Sequence, residues 1–523
     1  MKKKISPKNK NYYEKILPEI ENLKKNDLIN SYIGNKGYSI YKISLNEKII
    51  DFIKKELTIK PFIQSSLIEP NSFPIYLESE KKIYVPRFWG INIFGYPKTL
   101  KIKIGKSIDL KFNGELRDYQ KTVMDSYLKA IKFGSKEEEN SEGSALIELY
   151  AGAGKTVLGL KIIQVLRKKT IIFVHKTFLK NQWIERIKQY LPDAKIGTIQ
   201  GQIIDIEDKD IVIAMIQSIS MKSYPDNLFD EFGFSCFDEC HHISSETFSN
   251  CLRKCTTLYS LGLSATMNRK DGLTHVFKMY LGDICNKQKK KAEEDNVLVK
   301  AIDYVVLDDE DYNEVEKDYR GNVKHTTMLS KVSNFNYRTE FIINVIENEL
   351  KINKEQQIIL LGHQKNLLNY IYKAIELKNL TSVGYYIGGM KEKDLKISES
   401  KQLILATYAM AAEGLDIPSL TTLILATPKS DIVQSVGRIL REKHSNPLII
   451  DIVDQHDCFI NQFNKRKAFY NEKNYKIIRT NNEKYIEYIK YIKKSEEFNE
   501  EEIWKEVVVK SKKNKQSQCL IKL

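Results

Sequence analysis

The stretch Leu149-Tyr-Ala-Gly152-Ala-Gly154-Lys155-Thr156 decides how this chain folds. It follows the apolar run Ala145-Leu-Ile-Glu-Leu149 and precedes the helical stretch Val157 to Leu166, so it reads as strand, tight loop and helix in that order. Ala151, Gly152, Ala153 and Gly154 form a loop whose glycines let backbone N–H groups close round phosphates, and the helix N-terminus adds positive potential. In such a loop Lys155 reaches the β and γ phosphates of a nucleotide and the Thr156 hydroxyl holds magnesium. The strict form of the pattern has Gly where this chain has Leu149.

Working outward, short apolar runs alternate with amphipathic helical stretches from about 145 to 455, the pattern of parallel α/β sheets, and they do so twice. The first set of predicted strands is 145–149, 170–174, 210–214, 234–237 and 259–263. The second is 357–361, 383–387, 402–406, 422–426 and 447–451. Between them the polar run Asn286-Lys-Gln-Lys-Lys-Lys-Ala-Glu-Glu-Asp-Asn296 reads as a linker. The expected fold is therefore α/β, two tandem parallel-sheet lobes at 111–285 and 298–480 joined by 286–297. Residues 1–110 read as an N-terminal accessory domain, and 481–523 as a short basic tail with a surface helix and a frayed end.

Some 80 residues after the loop, an apolar strand ends in Phe237-Asp238-Glu239-Cys240-His241. Hydrolysis of a nucleoside triphosphate needs a carboxylate on magnesium and a group that orients and deprotonates water. Adjacent acids at the carboxyl end of a neighbouring strand supply both, which assigns magnesium to Asp238 and the water to Glu239. His241 then fits a coupling role between the nucleotide site and the next strand. A third element, Gln434-Ser-Val-Gly437-Arg438-Ile-Leu-Arg441, places two arginines three apart on one helix face. An ordinary amphipathic helix has the same spacing. However, only 12 of the 83 Lys and Arg residues are Arg, and an arginine supplied from a neighbouring lobe stabilises charge on the γ phosphate, worth on the order of 10³ to 10⁵ in rate.

Composition sets the outer limits. With 42% hydrophobic and 29% charged residues the chain is globular rather than disordered. It has no apolar run long enough to span a bilayer. Met1-Lys-Lys-Lys-Ile-Ser-Pro lacks an apolar stretch behind its basic start, so no secretory signal and a cytoplasmic location are expected. The net charge of +15 suits a polyanionic partner, although the preponderance of Lys, Asn and Ile also fits an AT-rich coding bias. Seven cysteines are too few and too odd for a disulfide scaffold. Cys236-x3-Cys240 and Cys251-x3-Cys255 invite a zinc reading, but close ligand pairs usually have two intervening residues, so no structural zinc is expected.

The order and spacing of these elements resemble the superfamily 2 helicases of the DExH type, over roughly residues 112 to 460. The resemblance is nearest to helicases of large cytoplasmic DNA viruses and to XPB-like DNA helicases. It implies that the two lobes are RecA-like and that ATP and magnesium are used. Leu116-Arg-Asp-Tyr-Gln120 resembles the adenine-reading Q motif, implying that Gln120 contacts the base. Leu263-Ser264-Ala265-Thr266 resembles motif III, which couples hydrolysis to strand movement. In Leu405-Ala-Thr407 through Glu413-Gly414-Leu-Asp416, similar to motif V, Thr407 would touch a nucleic acid phosphate and Gly414 and Asp416 the nucleotide edge; Gln434 would join the nucleotide from the arginine motif. Phe178-Leu-Lys-Asn-Gln182-Trp183 resembles motif Ia, and Met215-Ile-Gln217-Ser218 the next strand-contacting loop, so Gln182, Gln217 and Ser218 are candidate nucleic acid contacts.

Looser strings, Tyr84-Val-Pro-Arg-Phe-Trp89, Tyr385-Tyr-Ile-Gly-Gly389 and Ala426-Thr-Pro-Lys-Ser-Asp431, are similar to the poxvirus-type late-transcription helicases, which act in transcript release. The expectation is an ATP hydrolase that moves along or unwinds nucleic acid, DNA before RNA, with transcription machinery such as RNA polymerase as a partner and host cytoplasm or virion as location. A double-strand DNA translocase that does not unwind, and an RNA helicase, would carry the same motifs. The aromatics of the Phe88-Trp89 stretch would either stack bases or, as is commoner, pack a core.

Overall fold

Thr170–Val174, five β-branched or aromatic residues in succession, is buried at every position, as a strand covered on both faces must be. In the computed structural model, which describes residues 7–61, 71–134, 143–150, 152–225, 227–241, 246–267, 272–288, 296–413, 415, 417–439, 446–494 and 500–507, this strand lies inside an eight-stranded sheet. The strand order is Ile203–Asp205, Ile196–Gln200, Ile211–Met215, Thr170–Val174, Phe234–Asp238, Tyr259–Ser264, Ser144–Leu149, Ile284–Gln288. All pairings are parallel except the hairpin of the first two. A second eight-stranded sheet runs Val383–Tyr386, Leu403–Thr407, Gln357–Gly362, Leu420–Leu425, Leu448–Asp454, Leu298–Tyr304, Lys476–Asn481, Lys505–Glu506, again parallel but for the last pair. The chain divides into two units, Met1–Lys289 and Lys290–Leu523, each holding one of these sheets.

Three boundaries differ from the sequence expectation. The N-terminal region has its own five-stranded sheet and core, but Leu273 and Val276 of the first lobe complete that core. Residues 106–110 already belong to the lobe, where Ser107 bridges Lys168 and Ile108 and Leu110 join the lobe's core. Asn286, Lys287 and Gln288, expected in the linker, are edge-strand residues, with Lys287 paired to Glu148 at 2.6 Å. At the far end, 482–494 and 500–507 are no surface appendage: Tyr485, Tyr488, Ile489, Ile503 and Trp504 pack into the second lobe's core, and Lys505–Glu506 adds a strand. Lys and Glu spaced between those aromatics hid a buried stripe. Among the described residues no helix is long and apolar enough to cross a membrane.

The first sheet also corrects one step of the expected geometry. The strand ending in Asp238 is not next to the strand that leads into the phosphate loop; Tyr259–Ser264 lies between them. Two strand spacings of about 4.8 Å put the acids roughly 10 Å from the loop strand, a gap for a lysine side chain to cross.

Candidate active site

The helix Lys155–Leu166 starts directly from Gly154, whose φ of +70° is a left-handed conformation suited to glycine, as is the +82° of Gly152. A side chain at Gly154 would also strike the Gln120 amide, 2.6 Å from an ideal Cβ. Gln120 is buried, and it donates to the carbonyls of Ala153 (3.1 Å) and Gly154 (3.3 Å) while accepting from the Arg117 N–H. Tyr119 adds a hydroxyl bond to Ala153 O at 2.8 Å. This places Gln120 as a brace of the loop itself. Ala153 is fully buried; Thr156 is half-buried at the helix start.

Across the sheet ends, Lys155 Nζ stands 3.5 Å from Glu239 Oε1. Glu239 is held at φ +47°, a rare conformation for a non-glycine residue and of the kind that clusters at functional sites. Its other oxygen lies 3.4 Å from both His241 Nδ1 and Ser264 Oγ, and His241 Nδ1 and Ser264 Oγ are 2.7 Å apart. Ser264 is fully buried at the end of the intervening strand and donates to Thr266 O at 2.7 Å. Ala265 is half-buried and Thr266 exposed. The phosphate loop, the acid motif and the Ser-Ala-Thr motif therefore meet around one carboxylate.

Asp238 is 6% exposed. Burial, with the adjacent Glu239 charge adding to it, pushes its carboxyl up to about 6, against the opposing pull of Lys155 and of its hydrogen bonds. One of those bonds escaped the sequence reading: the indole N–H of Trp183 donates to Asp238 Oδ2 at 2.9 Å. Trp183 is fully buried, and its ring also lies against the nucleotide-loop helix at Gly159, where a Cβ would sit 3.0 Å from Cη2. The signal available beforehand was that a buried indole N–H needs a partner, in a chain with 3 tryptophans.

The remaining expected residues are less concentrated. Gln182 is half-buried on the helix Thr177–Tyr190. Gln217 donates to His175 O at 2.7 Å, and Ser218 Oγ accepts from the Gly201 N–H at 2.9 Å, so both tie together segments that follow neighbouring strands. Thr407 ends the strand Leu403–Thr407 of the second lobe. Gln434 and Arg438 lie in the helix Val433–Ile439, but their side chains, like Ala151, Gly414, Asp416 and Arg441 altogether, lie outside the described residues. Cys236, Cys240, Cys251 and Cys255 are all buried free thiols of the first lobe, and the Cys240 sulfur rests 3.8 Å from that of Met267. Phe88 and Trp89 are core residues, with the Trp89 ring edge-on to Phe94 at 5.9 Å.

Comparison with known proteins adds relatives to this geometry. A family model described as "Type III restriction enzyme, res subunit" matches residues 113–269. Protein L396 of Acanthamoeba polyphaga mimivirus, named as an ATP-dependent RNA helicase, is 33% identical over 94% of this chain and 95% of its own. Helicase 161L of Invertebrate iridescent virus 6 is 27% identical over 71% of this chain and 85% of its own. The DNA 3'-5' translocase XPB2 of Sulfurisphaera tokodaii is 27% identical over 65% of this chain and 81% of its own.

Proposed function

This chain belongs to the superfamily 2 helicases, in the group that holds viral helicases and XPB-like translocases, and on that premise we propose that it moves along DNA at the expense of ATP. Two RecA-like lobes and ATP-dependent helicase or translocase activity come with that membership. The observation that carries the reading is the meeting of three separate motifs at Glu239, through Lys155, His241 and Ser264.

In the mechanism we assign, Lys155 holds the γ phosphate and the loop N–H groups of 152–154 hold the β phosphate. Glu239 takes a proton from water as the water oxygen bonds to the γ phosphorus and the bond to the ADP oxygen breaks, which leaves ADP and phosphate. Magnesium suits the residues present, because the buried Asp238 carboxyl is crowded by Glu239 and gains from a cation, with the Thr156 hydroxyl as the second donor. When bound, the metal would offset charge on the phosphates. His241 and Ser264 register whether Glu239 is engaged and pass that to the Ser264-Ala265-Thr266 turn. Trp183 fixes the orientation of Asp238 from a helix that resembles the strand-contacting motif Ia.

DNA as the track is supported by the name of the archaeal relative, a DNA translocase. A second reading, RNA, is favoured by the name of the mimivirus relative. The late-transcription strings of the sequence support work in viral transcript release beside RNA polymerase in the host cytoplasm. ATP hydrolysis measured with single-stranded DNA, duplex DNA and RNA at one fixed salt concentration separates the tracks. DNA stimulating more strongly than RNA is the expected result, and the reverse order would transfer the assignment to RNA. Fork unwinding measured against displacement of a bound roadblock then tells a helicase from a duplex translocase.

A further inference from the structure

The N-terminal sheet carries a pattern that the motor chemistry does not use. Its register aligns Leu77, Tyr84, Ser39, Tyr32 and Thr99 in one row across five strands. Tyr41 faces Lys82 in the next row. Alternate residues such as Ile33, Ile40 and Ile83 are fully buried in the domain core, so this row looks the other way. Tyr32, Tyr41 and Tyr84 are only half-buried, and Ser39 between Tyr32 and Tyr84 is small and 1% exposed. Two strand spacings separate the Tyr32 and Tyr84 positions by about 10 Å.

Lysines stand over these rings. Lys82 Nζ lies 5.1 Å from the Tyr32 ring centre and 4.6 Å from that of Tyr41, Lys101 Nζ is 4.4 Å from Tyr32, and Lys36 Nζ is 5.8 Å from Tyr84. None of the strand positions on this face is acidic; Glu78, one residue from Leu77, belongs to the opposite face and is held by Lys42 and Lys54. Lys82 also donates to the Tyr32 hydroxyl at 3.1 Å, at the rim of that ring, while Lys101 and Lys36 lie over Tyr32 and Tyr84; cation–π contacts at exposed sites are weak, and a phosphate competes well for lysine.

We propose that this face binds an unpaired stretch of nucleic acid, with bases stacked on Tyr32 and Tyr84 and the backbone phosphates on Lys36, Lys82 and Lys101. Alternation of flat aromatic faces with cations is what a sequence-tolerant single-strand platform requires. Duplexes offer the lysines phosphates but keep their base faces stacked inside, so the tyrosines select single strands. The site is separate from the ATP site and does not depend on which track the motor uses.

The test uses the full chain and oligothymidine or oligouridine, followed by fluorescence anisotropy at several salt concentrations and by photocrosslinking with iodinated pyrimidines. Tyr32→Ala with Tyr84→Ala should weaken single-strand binding by at least about tenfold and leave duplex binding and unstimulated ATP hydrolysis unchanged. The Phe pair should bind as the parent does, which separates ring stacking from misfolding. Lys82→Ala with Lys101→Ala should flatten the salt dependence by roughly 1.4 in the log–log slope. Crosslinks should map to the peptides carrying Tyr32 and Tyr84. The proposal is overturned if the Ala pair binds single strands within twofold of the parent, if duplex binding falls equally, or if crosslinks avoid both tyrosines; binding of acidic proteins alone by this face would overturn it too.

Discussion

Both lobes place carboxylates on buried parallel strands, yet they treat them in opposite ways. In the second lobe Asp451 is clasped by Arg466 through two bonds of 2.8 Å, with Tyr470 donating as well, and Asp454 is clasped by Arg338 and Tyr312. Arg338 and Asp454 are completely buried. In the first lobe Asp238 has an indole N–H and a backbone N–H, and Glu239 has a lysine at 3.5 Å. Fork-to-fork arginine pairing neutralises an acid permanently and makes it architecture. Acids placed side by side without an arginine clasp stay reactive, and burial, with the Glu239 charge adding to it, raises the affinity of Asp238 for a proton.

The contrast is broken most severely by removing a clasp. Arg338→Ala leaves Asp454 buried without its cation, which should cost about 3–5 kcal/mol and lower the melting temperature of the second unit by on the order of 10 °C, read by calorimetry. Lys155→Ala should do the reverse, leaving melting nearly unchanged while nucleic-acid-stimulated ATP hydrolysis falls by about 10² to 10³. If the two variants exchanged phenotypes, the division into structural and reactive acids would be wrong.

A smaller effect sharpens the role of Trp183. Trp183→Phe keeps a ring against Gly159 but deletes the bond to Asp238, so ATP hydrolysis should fall about tenfold with a shift in its magnesium dependence and little change in melting. An unaltered magnesium dependence would reduce the indole to packing.

The smallest effect concerns pH. His363, which ends up against Thr427 at 2.7 Å in the second lobe, is pushed down to about 4 by burial, with Lys429 adding to it. A depressed proton affinity means its contribution to stability is present above about pH 6.5 and is lost as pH falls towards 4, because the unfolded chain takes the proton first. His363→Gln should therefore make the melting temperature less sensitive to acid between those limits; an unchanged acid slope would show that other groups set it.

Much of this was legible beforehand. All ten strands expected from apolar runs exist, because most positions in each are buried and apolar. Local motifs, Gly154-Lys155-Thr156 and Asp238-Glu239, were read from chemistry that demands those residues in sequence. Strands such as Ile284–Gln288 and Lys476–Asn481 escaped, since more than half their residues are polar. So did several relations set by three-dimensional order: Tyr259–Ser264 standing between loop and acids, Gln120 bracing the loop, and Trp183 meeting Asp238 from 55 residues away. The tail was misjudged because Tyr485 and Trp504 are buried beside the Lys300–Glu349 pair, whose members lie far apart in the chain.

The most direct measurement is single-turnover ATP hydrolysis by Glu239→Gln beside its affinity for ATP. The account predicts an affinity close to that of the parent and a chemical step slower by about 10² to 10⁴. A chemical step within a few fold of the parent would contradict it, because the carboxylate on which three motifs converge would then not be the group that takes the proton from water.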